Sequence, residues 1–309
     1  MMKNRAKILA TVLCLVAFAF MAIGSGSSDS SKKDIVATEE NSSSEENASV
    51  EEQTDSEAES QSTGITIDEQ VVVDQDGIKI TATEYTTDSI WGDGIKLLVE
   101  NNSDTDYTVG CDALIVNDYM ITDLFVSEIA SGKKANETMY LSSSALKAAG
   151  IDNVGKIEMY FHAYDSNIDF VFQNVYSEIQ TSAYSDMDTT PNDAGMELYN
   201  ENGIKIVGKT VDENSFWGTA ILLYCENTSG KNVGISVDDM SINGFMMSPF
   251  FATTVYDGKK SIDEITVFSS DLEENGIEKI EEVELKFHIY DNDSYNTIAD
   301  SEPITFSAQ

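Results

Sequence analysis

The chain contains few of the residues that most often perform chemistry in proteins. Among its 309 residues there are three cysteines, two histidines and three prolines. Zinc sites, iron–sulfur clusters and Cys/His catalysis need several such side chains at suitable spacing, which so small a number does not provide. Serine-nucleophile, zinc-protease and phosphate-loop motifs are missing too. We therefore expect no catalytic residue, no bound metal and no cofactor.

Positive charge is also scarce. The chain has 18 Lys and Arg residues against 55 Asp and Glu, which gives a formal net charge of −37. Nucleic-acid binding needs clustered basic residues, and docking on an anionic membrane needs a polybasic face, so both are excluded. Disorder along the whole chain is excluded as well, because 41% of the residues are apolar and 9% are aromatic, enough to build hydrophobic cores.

Residues 1–24 have the pattern of a secretory signal peptide. Three basic residues precede an uncharged apolar run over 8–23, and small residues lie at the expected cleavage point. An uncleaved membrane anchor is the alternative, because the run is only slightly shorter than the roughly 20 residues that span a bilayer. Ser25 stands where a lipoprotein would carry its modified cysteine, so we expect no lipid attachment. The predicted location is secreted or on the extracellular face of the cell envelope.

Residues 25–64 form an acidic, serine-rich segment. They include 11 acidic residues, two lysines and 12 serines, with few apolar side chains and no periodic pattern. Such a segment cannot bury enough apolar surface to offset the entropy lost on ordering. We predict a disordered linker between the signal peptide and the folded part of the chain.

The most informative pattern is an internal repeat. Residues 77–165 align without a gap to residues 203–291 at a constant offset of 126, with close to a third of the positions identical. A unit of this length is a whole domain rather than a solenoid repeat. We predict a first repeat at 65–182, a polar hinge at 183–195 and a second repeat at 196–309.

Within each repeat the hydrophobic pattern has the period of two that is typical of β-strands. Residues 157–163 alternate between apolar and polar side chains, and residues 283–289 show the same alternation. One buried and one solvated face are characteristic of antiparallel sheets. Asn-rich turns at 101–104 and 227–230 separate the strand patterns. The sequence thus predicts an all-β chain of two tandem immunoglobulin-like antiparallel β-sandwiches.

One short helical pattern interrupts the strands of each repeat. It spans residues 144–150 in the first repeat and 270–276 in the second, and each begins with serine and ends with glycine. We expect Ser144 and Ser270 to be N-caps and the two glycines to end the helices.

The repeated motifs resemble those of a family of secreted β-sandwich modules from Gram-positive bacteria. They are Gly-Ile-Lys-Ile at 77–80, Trp-Gly at 91–92 before a strand ending in Glu-Asn at 100–101, Gly-Lys-Lys at 132–134, and Phe-His-x-Tyr-Asp at 161–165, each with its copy in the second repeat. Family members occur singly or in tandem behind signal peptides and acidic linkers, as domains of unknown function with an immunoglobulin-like fold. The resemblance covers both repeats and implies fold and compartment, but no catalytic residue. The paired core cysteines of true immunoglobulin domains are absent.

Six residues are candidate ligand contacts because they occupy equivalent positions in the two repeats. They are Trp91 and Trp217, His162 and His288, and Tyr164 and Tyr290. Each tryptophan either closes one end of a hydrophobic core or is exposed for contact with a carbohydrate or a protein. A single histidine per repeat cannot form a metal site alone, so a polar cross-strand role on the solvated face is favoured over that of a metal ligand or general base.

Two acidic stretches are candidates for calcium. Asp291, Asp293 and Glu302 have the spacing of EF-hand ligands, but Asn296 stands where the loop requires glycine, so this motif is rejected. A looser site formed by the aspartates of residues 183–195 stays open as an alternative to a solvated acidic loop.

The cysteines of the repeats occupy different positions. Cys111 aligns with Val237 and Cys225 with Val99. No bridge can form within a repeat, and valine counterparts indicate thiols that behave as small buried hydrophobic groups. We expect both cysteines to be free and buried.

The expected function is extracellular binding or adhesion without catalysis, with a protein or a glycan as partner. This expectation is based on architectural analogy. A structural spacer of the cell surface is the main alternative, and an envelope hydrolase is a weaker one. The sequence leaves the ligand, the binding face and the oligomeric state open.

Overall fold

A computed structural model describes residues 33–34, 64–121, 125–215 and 218–307. The predicted signal peptide falls outside these ranges, as does the predicted linker apart from Lys33–Asp34 and Gly64. None of the helices among the described residues has the length and apolar character needed to cross a membrane.

The described residues form an all-β protein, as predicted. Lys33–Asp34 is a two-residue strand, β1, that pairs with a strand of the second repeat. The strands of the first repeat are β2 (Gln70–Gln75), β3 (Ile78–Asp88), β4 (Gly92–Asn101), β5 (Tyr107–Val116), β6 (Tyr119–Ile121), β7 (Val126–Ile129), β8 (Lys134–Tyr140), β9 (Lys156–Tyr164) and β10 (Phe170–Gln180).

The second repeat has matching strands. They are β11 (Met196–Glu201), β12 (Ile204–Ser215), β13 (Gly218–Asn227), β14 (Val233–Ile242), β15 (Phe245–Met246), β16 (Ala252–Val255), β17 (Lys259–Phe268), β18 (Val283–Asp291), β19 (Thr297–Asp300) and β20 (Ile304–Phe306). The first residues of β2 to β7 and of β11 to β16 are related by the offset of 126 that relates the sequences. The repeated sequence therefore forms a repeated set of strands.

The short helical segments fall where the pattern places them, but their first residues differ from the prediction. They are α1 (Ser143–Ala149), α2 (Ser269–Glu274) and a 3-10 turn at Tyr184–Asp186. The N-cap of α1 is Ser142, whose side chain accepts from Ala145 N, and Gly150 ends the helix in the left-handed conformation as predicted.

The predicted N-cap Ser270 is wrong, because α2 follows β17 directly. Strand β17 pairs with β13 as far as Phe268, and this residue occupies the N-cap position without a side-chain hydrogen bond. Ser270 therefore lies inside the first turn of α2.

The strands assemble into three sheets, and one sheet crosses from one repeat to the other. A four-stranded sheet has the order β2-β3-β4-β8, and a six-stranded sheet contains β14, β15, β16, β18, β19 and β20. The remaining ten strands form one sheet, because β17 of the second repeat pairs with β6 of the first. This pair is parallel, whereas the neighbouring pairs within each repeat are antiparallel as predicted.

Apolar side chains fill the interior in the alternation that the sequence predicts. In β18 the residues Val283, Leu285, Phe287 and Ile289 are buried. The buried residues fall into two large clusters, one mainly from each repeat. A fully buried side chain of this size contributes about 1.5–3 kcal/mol, so these clusters supply most of the stabilisation of each repeat.

A buried asparagine holds the turn after β4 and its counterpart after β13. Asn101 donates to the carbonyl oxygens of Thr105 and Ile129 at 2.7 and 2.9 Å, while its own oxygen accepts from the amide and hydroxyl of Ser103. Asn227 makes the equivalent four hydrogen bonds. A buried side-chain amide is destabilising unless its donors and its acceptor are hydrogen-bonded. Each Asn-rich turn in the sequence therefore contains one asparagine that holds the turn together.

The joint between the repeats is the β6–β17 pair together with the side chains around it. Lys260 lies opposite Tyr119 and Ser261 opposite Met120, and Lys260 N donates to Asp118 O at 2.9 Å. The joint side chains are Asp118, Tyr119, Lys156, Glu158 and Tyr160 from the first repeat, and Tyr224, Tyr256, Lys259 and Lys260 from the second.

Opposite charges meet at the centre of the joint. Lys259 Nζ lies 2.8 Å from Asp118 Oδ1 and also pairs with Glu158, and Lys156 Nζ lies 2.7 Å from the same Asp118 oxygen. Burial raises the pKa of the Asp118 carboxyl, but the two ammonium groups outweigh it and hold the pKa below its usual range. Glu158 is buried although its place in the alternation of β9 predicts exposure, because it faces Lys259 across the joint.

Aromatic rings flank these charges. Tyr119 is 4% exposed and meets Tyr224 edge-on, with 6.5 Å between the ring centroids. Tyr160 meets Tyr256 in the same way at 4.9 Å. Edge-to-face contacts of this kind add stabilisation beyond the area that they bury.

The connection between the repeats is held to both of them. Within residues 183–195, Asn192 N donates to Tyr119 Oη of the first repeat at 2.8 Å. Lys209 Nζ of the second repeat donates to Asn192 O at 2.7 Å. The predicted polar segment is therefore fastened by hydrogen bonds next to the joint.

Candidate functional site

The turn between β3 and β4 is held rigidly by one carboxylate. Asp88 Oδ1 accepts from Ile90 N at 2.7 Å and from Trp91 N at 2.9 Å. These two backbone hydrogen bonds lower the pKa of the Asp88 carboxyl. Gly92 completes the turn with a φ of +79°, a left-handed conformation that glycine adopts without a side-chain penalty.

This turn presents apolar side chains to solvent. Ile90 is 82% exposed and Trp91 is 63% exposed. The ring of Tyr140, at the end of β8, lies 6.1 Å from the Trp91 ring at an angle of 37°. We call Ile90, Trp91 and Tyr140 the Trp91 surface.

For Trp91, the interpretation as a plug that closes the core is wrong. Its backbone is fixed by Asp88 outside the hydrophobic cluster of the first repeat, so its ring points to solvent. The equivalent Trp217 lies outside the described residues. Sequence reasoning did not single out Ile90 or Tyr140, because apolar side chains next to a tryptophan are equally expected in a hydrophobic core.

A first aromatic row lies on the outer face of β9. It consists of His162, Tyr164 and Phe170: the His162 and Tyr164 rings are nearly parallel with centroids 5.8 Å apart, and Phe170 meets both rings edge-on. His162 Nδ1 is hydrogen-bonded to Asp112 Oδ1 on the neighbouring strand β5 at 2.7 Å.

A second aromatic row lies on the equivalent strand β18. It consists of His288, Tyr290 and Tyr295, with successive ring centroids 5.6 and 6.2 Å apart and rings within 27° of parallel. His288 Nδ1 is hydrogen-bonded to Asp300 Oδ1 at 2.6 Å. Asp300 lies on β19, on the opposite side of the histidine strand from the one used in the first row. The two histidines thus occupy equivalent positions but are hydrogen-bonded to carboxylates on different neighbouring strands.

Each row lies over a glycine of the adjacent strand. Gly110 is opposite His162 and Gly234 is opposite Tyr290. A Cβ atom at either glycine would overlap the ring above it. The rings therefore cover backbone that would otherwise be open to water, which gives them a packing role as well as an exposed edge.

The predicted contact residues fall in separate places. Trp91 lies on a turn of the four-stranded sheet, while His162 and Tyr164 lie on β9 and His288 and Tyr290 lie on β18. The rows also include Phe170, the first residue of β10, and Tyr295 in the turn after β18, which sequence reasoning missed because neither has an aromatic counterpart at the equivalent position of the other repeat.

The acidic candidates have partners within the protein. Among the described residues there is no group of three or more His, Cys, Asp or Glu side chains arranged to hold a metal ion. In residues 183–195, Asp188 accepts from Thr190 N and Asp193 pairs with Lys205 at 2.6 Å. Asp291 is hydrogen-bonded to Lys231 and to two backbone amides, which lowers its pKa to about 2.

Cys225 is a free cysteine, as expected. Cys225 is buried, and burial raises the pKa of its thiol well above the ordinary value. Cys111 is only half-buried, which corrects the expectation of full burial.

No protein-family model and no curated protein matches this chain. Among solved structures, the chain is similar to the YadV chaperone, at 13% identity over 69% of this chain and 91% of the other, with a TM-score of 0.22. It is also similar to a protein of unknown function from Porphyromonas gingivalis W83, at 10% identity over 70% of this chain and 90% of the other, with a TM-score of 0.19. At these TM-scores the likenesses carry no argument about this protein.

Proposed function

We propose that the chain is a non-enzymatic binding protein of the extracellular space or the cell envelope, which engages a protein or a glycan through the Trp91 surface. The observation that carries this proposal is the exposure of Ile90 and Trp91 on a turn fixed by Asp88. The resemblance to secreted Gram-positive modules, which stays a prediction, supplies the compartment.

The proposal includes two immunoglobulin-like β-sandwiches as the scaffold. It is supported by the strands that recur at an offset of 126, by the two hydrophobic clusters and by the outward-facing aromatic rows on β9 and β18. In such a scaffold, turns at the ends of the strands commonly carry the binding residues.

The physical properties of the Trp91 surface suit recognition. Covering an exposed side chain of this size is worth about 1.5–3 kcal/mol, and tryptophan and tyrosine are enriched among the residues that dominate binding energy. Because Asp88 already fixes the turn, little conformational entropy is lost when a partner covers it. Tilted aromatic rings offer apolar faces to a sugar ring or to a protein side chain.

The test is ligand screening with a matched variant. The purified protein is applied to a glycan array and used in a pull-down from a cell-envelope extract, alongside Trp91→Ala and the control Tyr184→Ala, which removes an exposed ring elsewhere. We expect the Trp91 variant to bind at least about tenfold more weakly and the control to bind normally, where tenfold is about 1.4 kcal/mol. A specific ligand that both variants hold equally well would contradict the proposal.

A structural spacer is the second candidate, and the joint favours it. One sheet runs through both repeats and the connection is fastened to each, which favours a fixed arrangement of the two repeats. A spacer predicts that Trp91→Ala changes no interaction, whereas loss of the joint changes the length of the molecule, which small-angle scattering measures.

A further inference from the structure

Each of the two strands whose edges meet in the joint has a counterpart in the other repeat. Strand β6 of the first repeat pairs with β17 of the second. Their counterparts, β15 in the second repeat and β8 in the first, lie at the edges of their own sheets. In the described part of the chain no strand pairs with the outer side of either edge.

The free β15 edge is apolar and has the shape of the edge used in the joint. Phe245 and Met246 are 47% and 67% exposed, whereas the equivalent Tyr119 is buried in the joint. The turn before each strand is held identically, since Asn243 and Asn117 each accept from two backbone amides at 2.9–3.0 Å. The hairpin that forms the joint in the first repeat is therefore presented to solvent in the second.

The free β8 edge keeps the lysines that the joint uses. Lys133 and Lys134 correspond to Lys259 and Lys260. Lys134 pairs with Glu100 on β4 as Lys260 pairs with Glu226 on β13, so the Lys134 amide points away from its sheet as the Lys260 amide does.

We propose that β15 of one molecule pairs in parallel with β8 of a second molecule, which repeats the joint between chains. In this arrangement Phe245 lies opposite Lys134, and Met246 lies opposite Ala135. Lys134 N donates to Gly244 O, and its ammonium lies over the Phe245 ring, as Lys260 lies over Tyr119 in the joint at 5.6 Å.

Charge complementarity also supports a second molecule as the partner of the β15 edge. The position of Glu158, which pairs with Lys259 in the joint, is held by Glu284 in the second repeat, and the position of Lys156 by Glu282. Lys133 of the second molecule therefore meets two carboxylates. A strand edge lined with lysine is otherwise a device against pairing, but here Glu282 and Glu284 lie beside the facing apolar edge.

The contact between molecules is weaker than the joint. Tyr160 and Tyr256, which meet edge-on in the joint, are replaced by Lys286 and Ala130 at the equivalent positions. No tether holds two separate chains together, so association depends on concentration. It is expected where molecules are crowded on a surface rather than in dilute solution.

Such association is open-ended. The two edges belong to different repeats and differ from one another, so the contact is heterologous and leaves one edge of each kind free. Addition of further molecules then gives linear assemblies instead of a closed dimer.

Disulfide trapping tests the register. Two single-cysteine proteins, Met246→Cys and Ala135→Cys, are made with Cys14, Cys111 and Cys225 replaced by serine and are mixed under oxidising conditions at high protein concentration. Neighbouring strands lie close enough for a disulfide between facing positions, so we expect this mixture to cross-link at least tenfold faster than Met246→Cys mixed with Val126→Cys. Equal rates, or preferential coupling of Met246→Cys to itself, would overturn the proposal.

A charge exchange gives a second test that does not depend on cysteine. Sedimentation at increasing concentration, in salt that screens the net charge, should show mass above the monomer for the native protein. Lys133→Glu should abolish this increase, and mixing it with Glu284→Lys should restore it. Trp91→Ala should associate normally, which separates this proposal from the proposed ligand binding. A monomer at all concentrations contradicts the proposal.

Discussion

The two repeats build the same strands but differ at the surfaces where they meet. In the joint, the first repeat contributes Lys156 and Tyr160 and the second contributes Tyr256, while the unused copies of these positions hold Glu282, Lys286 and Ala130. The two turn asparagines, which make the same hydrogen bonds within each fold, are instead identical in the two repeats. The difference teaches that these joint positions diverge because only one copy of each faces the neighbouring repeat.

Replacement of the joint lysine, Lys259, should give the largest difference in stability between equivalent positions of the two repeats. Lys259→Ala removes the closer of the two lysines that pair with the buried Glu158, and loss of one partner of a buried ion pair costs about 3–5 kcal/mol. The equivalent Lys133 is exposed, so Lys133→Ala should change the free energy of unfolding by less than about 0.5 kcal/mol. Denaturant unfolding of both variants measures the contrast, and equal effects would show that the joint does not distinguish the two lysines.

The turn asparagines should show the opposite behaviour, with equal effects in the two repeats. Asn101→Ala and Asn227→Ala each remove the side-chain donor from a buried carbonyl group, that of Ile129 or that of Val255, at a cost of about 1–3 kcal/mol. The neighbouring Asn102 is exposed, so Asn102→Ala serves as the control. Thermal unfolding of the three variants checks this. A large effect in only one repeat would mean that the equivalent hydrogen bonds do not contribute equally to stability in the two repeats.

Acid should weaken the joint through Asp118. Its pKa is lowered in the folded protein, so its contribution to stability is present above the ordinary pKa of 3.8 and is lost as the pH falls through the lowered value. We expect Asp118→Asn to lose less stability than the native protein between pH 6 and pH 2. The second repeat has Gly244 at this position, so Gly244→Ala, with its positive φ of 81°, should lower stability at every pH without changing the pH dependence.

Replacing the exposed tryptophan should have the smallest effect on folding. Because Trp91 is largely solvated, Trp91→Ala is expected to change the free energy of unfolding by no more than about 0.5 kcal/mol. Replacing the buried Phe161 of the same repeat with alanine should lower the free energy of unfolding by about 3–5 kcal/mol. Chemical denaturation of both variants compares them. A large loss of stability in Trp91→Ala would show that the Trp91 side chain packs in the hydrophobic core.

Much of the fold could be predicted from the sequence. The offset of 126, the alternation that buries Phe161 and Phe287, and the asparagine turns depend on residues close together in the chain, where period and turn chemistry are readable. The free thiol of Cys225 followed from the unequal positions of the two cysteines in the alignment.

The joint and the exposure of Trp91 could not be predicted in this way. Asp118 and Lys259 meet although 141 residues separate them, and nothing local marks β6 and β17 as partners. Burial of Glu158 follows only from that contact. Exposure of Trp91 depends on two hydrogen bonds to Asp88, and the same tryptophan in a core would leave a similar pattern in the sequence.

Amide hydrogen exchange at Lys260 and Lys134 tests the comparison most directly. Lys260 N is hydrogen-bonded across the joint to Asp118 O, whereas the equivalent Lys134 amide points outward from a free edge. In dilute protein we predict slow exchange at Lys260 and fast exchange at Lys134. Equal exchange rates at the two amides would contradict the edge-to-edge joining of the repeats.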